Sequence, residues 1–370
     1  MTTLTGETLA RATDKLQRII DTGRQQAEAA LAKIRDEAPA DAIVPTSSIT
    51  YGYRESEGRE GGALHMGFRA DGGDPDYHPI HDFALGQVCD KAGLPRKWME
   101  TLHREGDWGQ QLIAHDLNVI YSHRPRSKHL VRSVGGEVRG FLSDRYLRLD
   151  TPQLVEAFAS AAGKYGLVPI EATAMPTKFV LKAALAQVIE PFPGEPIVFG
   201  MSIHNSDFGD GAFELRMFAM RVWCTNLAVG EDGLRRVHLG SRLSGDIAVS
   251  QRTYELDNKA LASATTDVVS GMFEPERVRA RVGAIAAAAS TKVDIKGVLD
   301  AARKSGTMNI GEAKSVTDIY NAGGIELLPP GDNAWRLSNA ISYFAQSVQP
   351  ERKLDLEILA GKVAGLHLES

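Results

Sequence analysis

Two adjacent glycines, Gly135 and Gly136, separate the apolar runs 131–134 and 138–142. A two-residue turn with positive φ at both positions is a common hairpin closure, and glycine adopts it without a Cβ penalty. The spacing predicts an antiparallel hairpin within 129–150. A helix over 151–165 follows, with Thr151 as its cap, Pro152 in its first turn, and Leu154, Val155, Phe158 and Ala162 on one face. Gly166 stops it. Strands are then expected over 167–172, 178–183, 197–204 and 212–225, the last two joined by the turn-forming run NSDFGDG. Hairpin, helix and successive strands predict an α+β fold: a central antiparallel sheet with hairpins and a packed helix, flanked by N-terminal and C-terminal helical regions.

The flanks complete that outline. Residues 4–37 read as one amphipathic helix, with Leu9, Leu16, Ile19, Ile20, Ala27, Leu31 and Ile34 at helical spacing. Its narrow stripe suits packing on a neighbour or in an oligomer. Short strands are expected over 48–54 and 62–69, and helices within 79–122 that break at Gly93 and Pro95. Residues 251–305 are alanine-rich and helical, and 332–366 read as two helices. Four regions result: an amphipathic helix over 1–40, a mixed subdomain over 41–122, the α+β core over 123–250 and a helical region over 251–370.

Composition removes several classes. The chain has 370 residues and a formal net charge of −5, so nucleic acid would have to be met by a local basic patch. Cys89 and Cys224 are far apart with no CxxC partner, which excludes a disulfide scaffold and a cysteine-only zinc site. They fit a reducing cytoplasm. No secretory signal is read at the N-terminus, and no run of apolar residues has membrane-spanning length. GxxxxGK[ST], GxSxG and a GxGxxG in its strand–helix setting are all missing, so no cofactor and no catalytic residue are assigned.

The local patch exists. Arg124, Arg126, Lys128, Arg132, Arg139, Arg145 and Arg148 crowd one stretch against only Glu137, Asp144 and Asp150. Guanidinium groups fork onto phosphate oxygens, and Tyr146 offers a ring on which a base could stack. Lys178, Lys182, Arg216 and Arg221 extend the surface if they share a sheet face. The plainer alternative is that the arginines pair with carboxylates and that Tyr146 belongs to the core.

Two weaker constellations stand beside it. Asp74, Asp76, His78, His81 and Asp82 are metal-friendly ligand types, but Pro79 interrupts them, and an acidic loop leading to a helix N-terminus explains them as well. No metal is assigned. His204, Asn205, Ser206 and Asp207 place base and nucleophile types side by side, yet neighbours on a strand face opposite ways. A turn is the better reading. The Gly93–Pro95 break also suggests a helix-turn-helix, though paired helices more often serve packing.

The runs FLSDRYLRLD (141–150), NSDFGDG…CTN (205–226) and AWRLSNAISYFAQ (334–346) resemble the phage- and plasmid-borne proteins grouped as domain of unknown function 932. The resemblance covers roughly residues 80–365. It implies a mobile-element setting and no assigned activity. In outline the expected core is also similar to phage single-strand annealing proteins, which oligomerise and bind single strands without a nucleotide. The expectation is therefore a cytoplasmic homo-oligomer that binds single-stranded DNA for recombination or replication. The alternative is a self-assembling structural or host-interaction protein without enzymatic activity.

Overall fold

The computed structural model describes residues 6–55, 62–69, 74–123, 127–238, 250–322 and 328–367. The expected α+β class holds, with antiparallel sheets between helical N- and C-terminal regions. The chain opens with α1 (Gly6–Asp36) and β1 (Ala40–Pro45), then β2 (Thr50–Glu55), β3 (Gly62–Phe68) and β4 (Asp76–Pro79). Next come α2 (Asp82–Ala92), α3 (Arg96–Arg104), α4 (Asp107–Ser122) and the hairpin of β5 (Lys128–Val134) and β6 (Glu137–Ser143). Helix α5 (Thr151–Lys164) leads into β7 (Leu167–Ala174), β8 (Phe179–Leu185), β9 (Ile197–Asn205), β10 (Phe213–Arg221) and β11 (Leu227–Arg236). Six helices follow: α6 (Gln251–Met272), α7 (Pro275–Ser290), α8 (Ile295–Lys304), α9 (Ile310–Asn321), α10 (Ala334–Ala345) and α11 (Pro350–Val363).

The strands form three sheets, in the orders β1-β5-β6, β2-β3-β4 and β11-β10-β9-β8-β7. Gly135 and Gly136 have φ of 56° and 84°, as the two-residue hairpin turn requires. Strands β1, β4 and β11 are not expected from the sequence. β1 lies between Pro39 and Pro45, and β4 grows from an acidic, proline-containing run. β11 carries Gly230 and Gly233, and its pairing with β10 is shifted at Leu215, Arg216 and Phe218. Their partners supply the missing encouragement: β1 pairs along β5 from Ala40↔Ser133 to Pro45↔Lys128.

The five-stranded sheet is the centre of the molecule. One face bears Leu181, Ile203, Leu215 and Met217, packed with α5, α6 and α7 residues such as Phe158, Val269 and Ile285. The other bears Ala184, Val198, Phe218 and Met220, packed against Ala12, Leu16 and Ile20 of α1 and Leu354 and Ile358 of α11. The C-terminal half of α1 returns to the first core through Ala27 and Ala30. Most of the apolar stripe of α1 is thus packed against its own chain, while Leu9 stays 38% exposed. Residues 41–122 do not close a core alone either, since Tyr51, Met66, Val88 and Ile113 cluster with Val131, Val138 and Phe141 of the hairpin. Helices α8–α11 bury Leu299, Val316, Leu337 and Leu356 together. Among the described residues no helix is long and apolar enough to cross a membrane.

Helix α1 sits unusually close to β7. A Cβ on Gly23 would fall on the backbone of Ile170, whereas one on Gly163, exposed in α5, would meet nothing. Alanine in a helix gains roughly 0.5–1 kcal/mol over glycine, but overpacking costs about 1–3 kcal/mol. Gly163→Ala should therefore raise the unfolding midpoint and Gly23→Ala should lower it. Equal shifts of both variants in chemical denaturation would show that α1 does not pack there.

Candidate functional site

The basic ribbon divides into cations that fold the protein and cations that face water. Arg132 on β5 is only 2% exposed. Its Nε donates to Asp41 Oδ1 at 2.7 Å, Nη2 to Asp150 Oδ1 at 2.8 Å and Nη1 to the Asp207 carbonyl at 2.7 Å. Arg139 on β6 pairs with Glu137 at 2.9 Å and Glu37 at 2.6 Å. Arg148 pairs with Asp41 at 3.1 Å and lies 5.0 Å above the Tyr254 ring. Tyr146, expected as a stacking platform for a base, is instead buried: its ring stacks on His238 at 4.9 Å and its hydroxyl donates to the Ser206 carbonyl at 3.1 Å. Lys178 pairs with Asp210 at 3.0 Å. Arg221 is buried against Glu195 at 2.7 Å, whose Oε1 also accepts from Trp335 Nε1 at 2.7 Å. A buried guanidinium held this way is part of the scaffold.

Two ribbon cations behave differently. Lys128 begins β5 and Arg145 follows the end of β6, and the register His129↔Ser143 puts both at the open end of the hairpin. Both are exposed, and neither makes an ion pair with a described residue. Arg124 and Arg126 lie outside the described residues.

Lys182 and Arg216 do share a face, but in company the sequence does not reveal. Cross-strand partners face the same side of a sheet. The registers Glu171↔Lys182, Lys182↔Ser202 and Ser202↔Arg216, with His204↔Glu214 and Glu214↔Arg235, draw one polar stripe across all five strands. Lys182 donates to Glu171 at 3.0 Å, and Glu214 accepts from Arg216 and Arg235, each at 2.9 Å. Helix α11 adds Lys353 and buried Glu357, 3.8 Å apart. Burial opposes charge on Lys182, but Glu357 and Glu171 outweigh it and raise its pKa. Burial pushes the Glu357 carboxyl up despite Lys182 and Lys353. Burial likewise works against Glu171, but the two lysines outweigh it and hold the carboxyl below its usual range.

Beside this cluster a cavity of about 270 Å³ opens between α1, the sheet and α11. Ile19 and Gln26 line it from α1, Ile170 and Glu171 from β7, and Lys353 from α11. Thr225, in the β10–β11 connection, completes it with Met220, Leu227 and Gln346. Thr225 has φ of 55°, in the left-handed region that a β-branched residue avoids. Neighbours hold it there: its N–H donates to the Arg221 carbonyl at 3.0 Å, and Asn226 Nδ2 donates to the Asn339 carbonyl at 3.2 Å.

The other expected constellations resolve into local structure. His78 lies on β4, not on a helix face with His81, and its Nδ1 is 3.0 Å from the Gly136 carbonyl. His81 caps α2, accepting from Phe83 N–H at 3.2 Å. No group of three or more metal-ligating side chains occurs among the described residues. Asn205 turns away from the stripe and donates to the Leu149 carbonyl and Thr151 Oγ1, at 2.7 and 2.9 Å. Ser206 Oγ donates to the Thr177 carbonyl and accepts from the Phe208 and Asp210 N–H groups, which builds a turn. His204 alone joins the stripe, and its buried Nε2 has no hydrogen-bond partner among the described residues. No family model matches the chain, and neither a curated protein nor a solved structure does.

Sequence reasoning missed Glu171, His204, Glu214, Lys353 and Glu357 as a group. Each sits singly on its strand or helix, and only the register brings them together. Two expectations follow. Replacing Arg132 with Ala leaves Asp41 and Asp150 without their shared cation and should cost about 3–5 kcal/mol in denaturant unfolding; a cost under 1 kcal/mol, the range of an exposed pair, would refute the buried role. Burial, helped by Lys182, lowers the His204 pKa from 6.5 to about 4. The neutral ring favours the fold above pH 6.5, and this contribution fades as pH falls through about 4. NMR titration should place the His204 midpoint near the lower value, and His204→Gln should flatten that acid limb of stability.

Proposed function

We propose that the chain is a cytoplasmic, mobile-element protein which binds single-stranded DNA at the open end of the β5–β6 hairpin. The observation that carries the reading is the division of the ribbon. Arg132, Arg139 and Arg148 are held by carboxylates, while Lys128 and Arg145, at the open end of the hairpin, are exposed and make no ion pair with a described residue. In the sequence Arg124 and Arg126 precede Lys128 by four and two residues, which brings the candidate cations to four. Exposed, uncompensated cations release counterions from a phosphate backbone, whereas paired ones do not. The resemblance to phage- and plasmid-borne proteins supports the setting, and the free thiols of Cys89 and Cys224 agree with a reducing compartment.

A salt titration of fluorescent oligonucleotide binding tests this. With these four cations engaged, the slope of log affinity against log salt should be about −3. The double variant Lys128→Glu/Arg145→Glu should lose most of the low-salt affinity, while Lys304→Glu on α8 should keep it. Absent or salt-insensitive binding, or wild-type affinity in the double variant, would overturn the reading.

Self-assembly is favoured by a separate observation. Trp108, Leu112 and Val119 form one face of α4 and are 55%, 38% and 46% exposed. If a second copy covers this stripe, light scattering should report a mass above the monomer that falls in Trp108→Ser. A monomer at every concentration would refute it.

A further inference from the structure

The cavity between α1 and α11 has opposite charges on its walls and an apolar lining between them. Glu171 keeps 41% of its side chain exposed, and Lys182 bonds only its Oε2. Lys353 is less well matched: its carboxylate partner, Glu357, stands 3.8 Å away, at the limit of an ion pair. Ile19, Ile170, Met220 and Leu227 supply the apolar wall. At about 270 Å³ the space lies just under the range that encloses drug-sized ligands.

The lining selects by charge. A simple anion drawn to Lys353 meets Glu171, and a simple cation drawn to Glu171 meets Lys353 and Lys182. A neutral apolar molecule strips water from both charges and returns nothing. A small molecule with both charges and an apolar body leaves none of these groups unmatched.

We propose that this cavity binds a small zwitterion with an apolar body, the chemistry of a free apolar amino acid. The carboxylate sits on Lys353, the ammonium on Glu171, and the side chain against Ile19, Ile170, Met220 and Leu227. Because α1, the sheet and α11 all line the cavity, the ligand bridges elements far apart in the chain. Occupancy therefore stabilises the folded protein by mass action. The cavity shares no residue with the hairpin cations, so this inference stands apart from nucleic-acid binding.

Calorimetry and thermal unfolding of the full chain provide the test, with L-leucine, 4-methylpentanoate, which lacks the amine, and 3-methylbutylamine, which lacks the carboxylate. Leucine should bind and raise the unfolding midpoint, and each truncated probe should bind at least about tenfold more weakly, since it leaves a wall charge unmatched. Lys353→Met should abolish the preference for leucine over the amine, and Lys353→Arg should restore it. Ile19→Trp, which fills the cavity with its charges intact, should eliminate binding while the circular dichroism stays native. No leucine binding at millimolar concentration, equal binding of the three probes, or undiminished binding by folded Ile19→Trp would overturn the proposal.

Discussion

The Arg132 guanidinium is the contact on which most of the architecture depends. A charge that is 2% exposed survives only if hydrogen bonds replace the water it has lost. Asp41 supplies one from β1, Asp150 another from the N-terminal cap of α5, and the Asp207 carbonyl a third from the β9–β10 turn. These three lie in separate parts of the fold. One side chain thus fixes the small sheet against the first helix of the core and against the rim of the large sheet. Burial also pushes the Asp207 carboxyl up to about 6, although Arg132 and the Thr151 donors pull the other way. The guanidinium itself is shielded from water, and its tolerance for error is small.

The large sheet shows a second economy. Its inner face is apolar between Asn205 and Arg221 at the strand ends, while its outer face changes character along the strands. Ala184, Gly200 and Phe218 lie in register under α1, and one pleat further along Lys182, Ser202 and Arg216 begin the polar stripe. The stripe persists because its charges are paired: Lys182 with Glu171 and Arg235 with Glu214 across strands, and Arg216 with Glu214 along β10. The strained backbone at Thr225 and the opposed charges of Glu171 and Lys353 meet where the two characters join.

Local signals in the sequence mapped onto local structure. Gly135–Gly136 marked the hairpin, and Gly166 marked the end of α5. Asp150 rather than Thr151 is the residue at the α5 cap, a shift of one position. What stayed hidden was long-range. Asp41 lies 91 residues from Arg132, and Glu37 lies 102 residues from Arg139. A seven-cation run with few acids beside it therefore looked like a surface, when three of its five described cations, Arg132, Arg139 and Arg148, are halves of ion pairs with Asp41 or Glu37, far back in the chain. β1 and β11 were invisible for the same reason: proline and glycine lower their intrinsic tendency, and pairing with β5 and β10 restores it. The polar stripe needs the register of five strands, which no window of sequence contains.

Helix α1 has one more role, which concerns what the sheet does not do. β7 ends the five-stranded order, so among the described residues no strand pairs with its outward backbone groups. Gln26 Oε1 accepts from the Ala172 N–H at 3.3 Å, and Lys33 Nζ donates to the Ala174 carbonyl at 2.9 Å. The helix thereby imitates, with two side chains, the neighbour that an open edge would otherwise recruit from another molecule. A strand adding at that margin would first have to displace these two side chains.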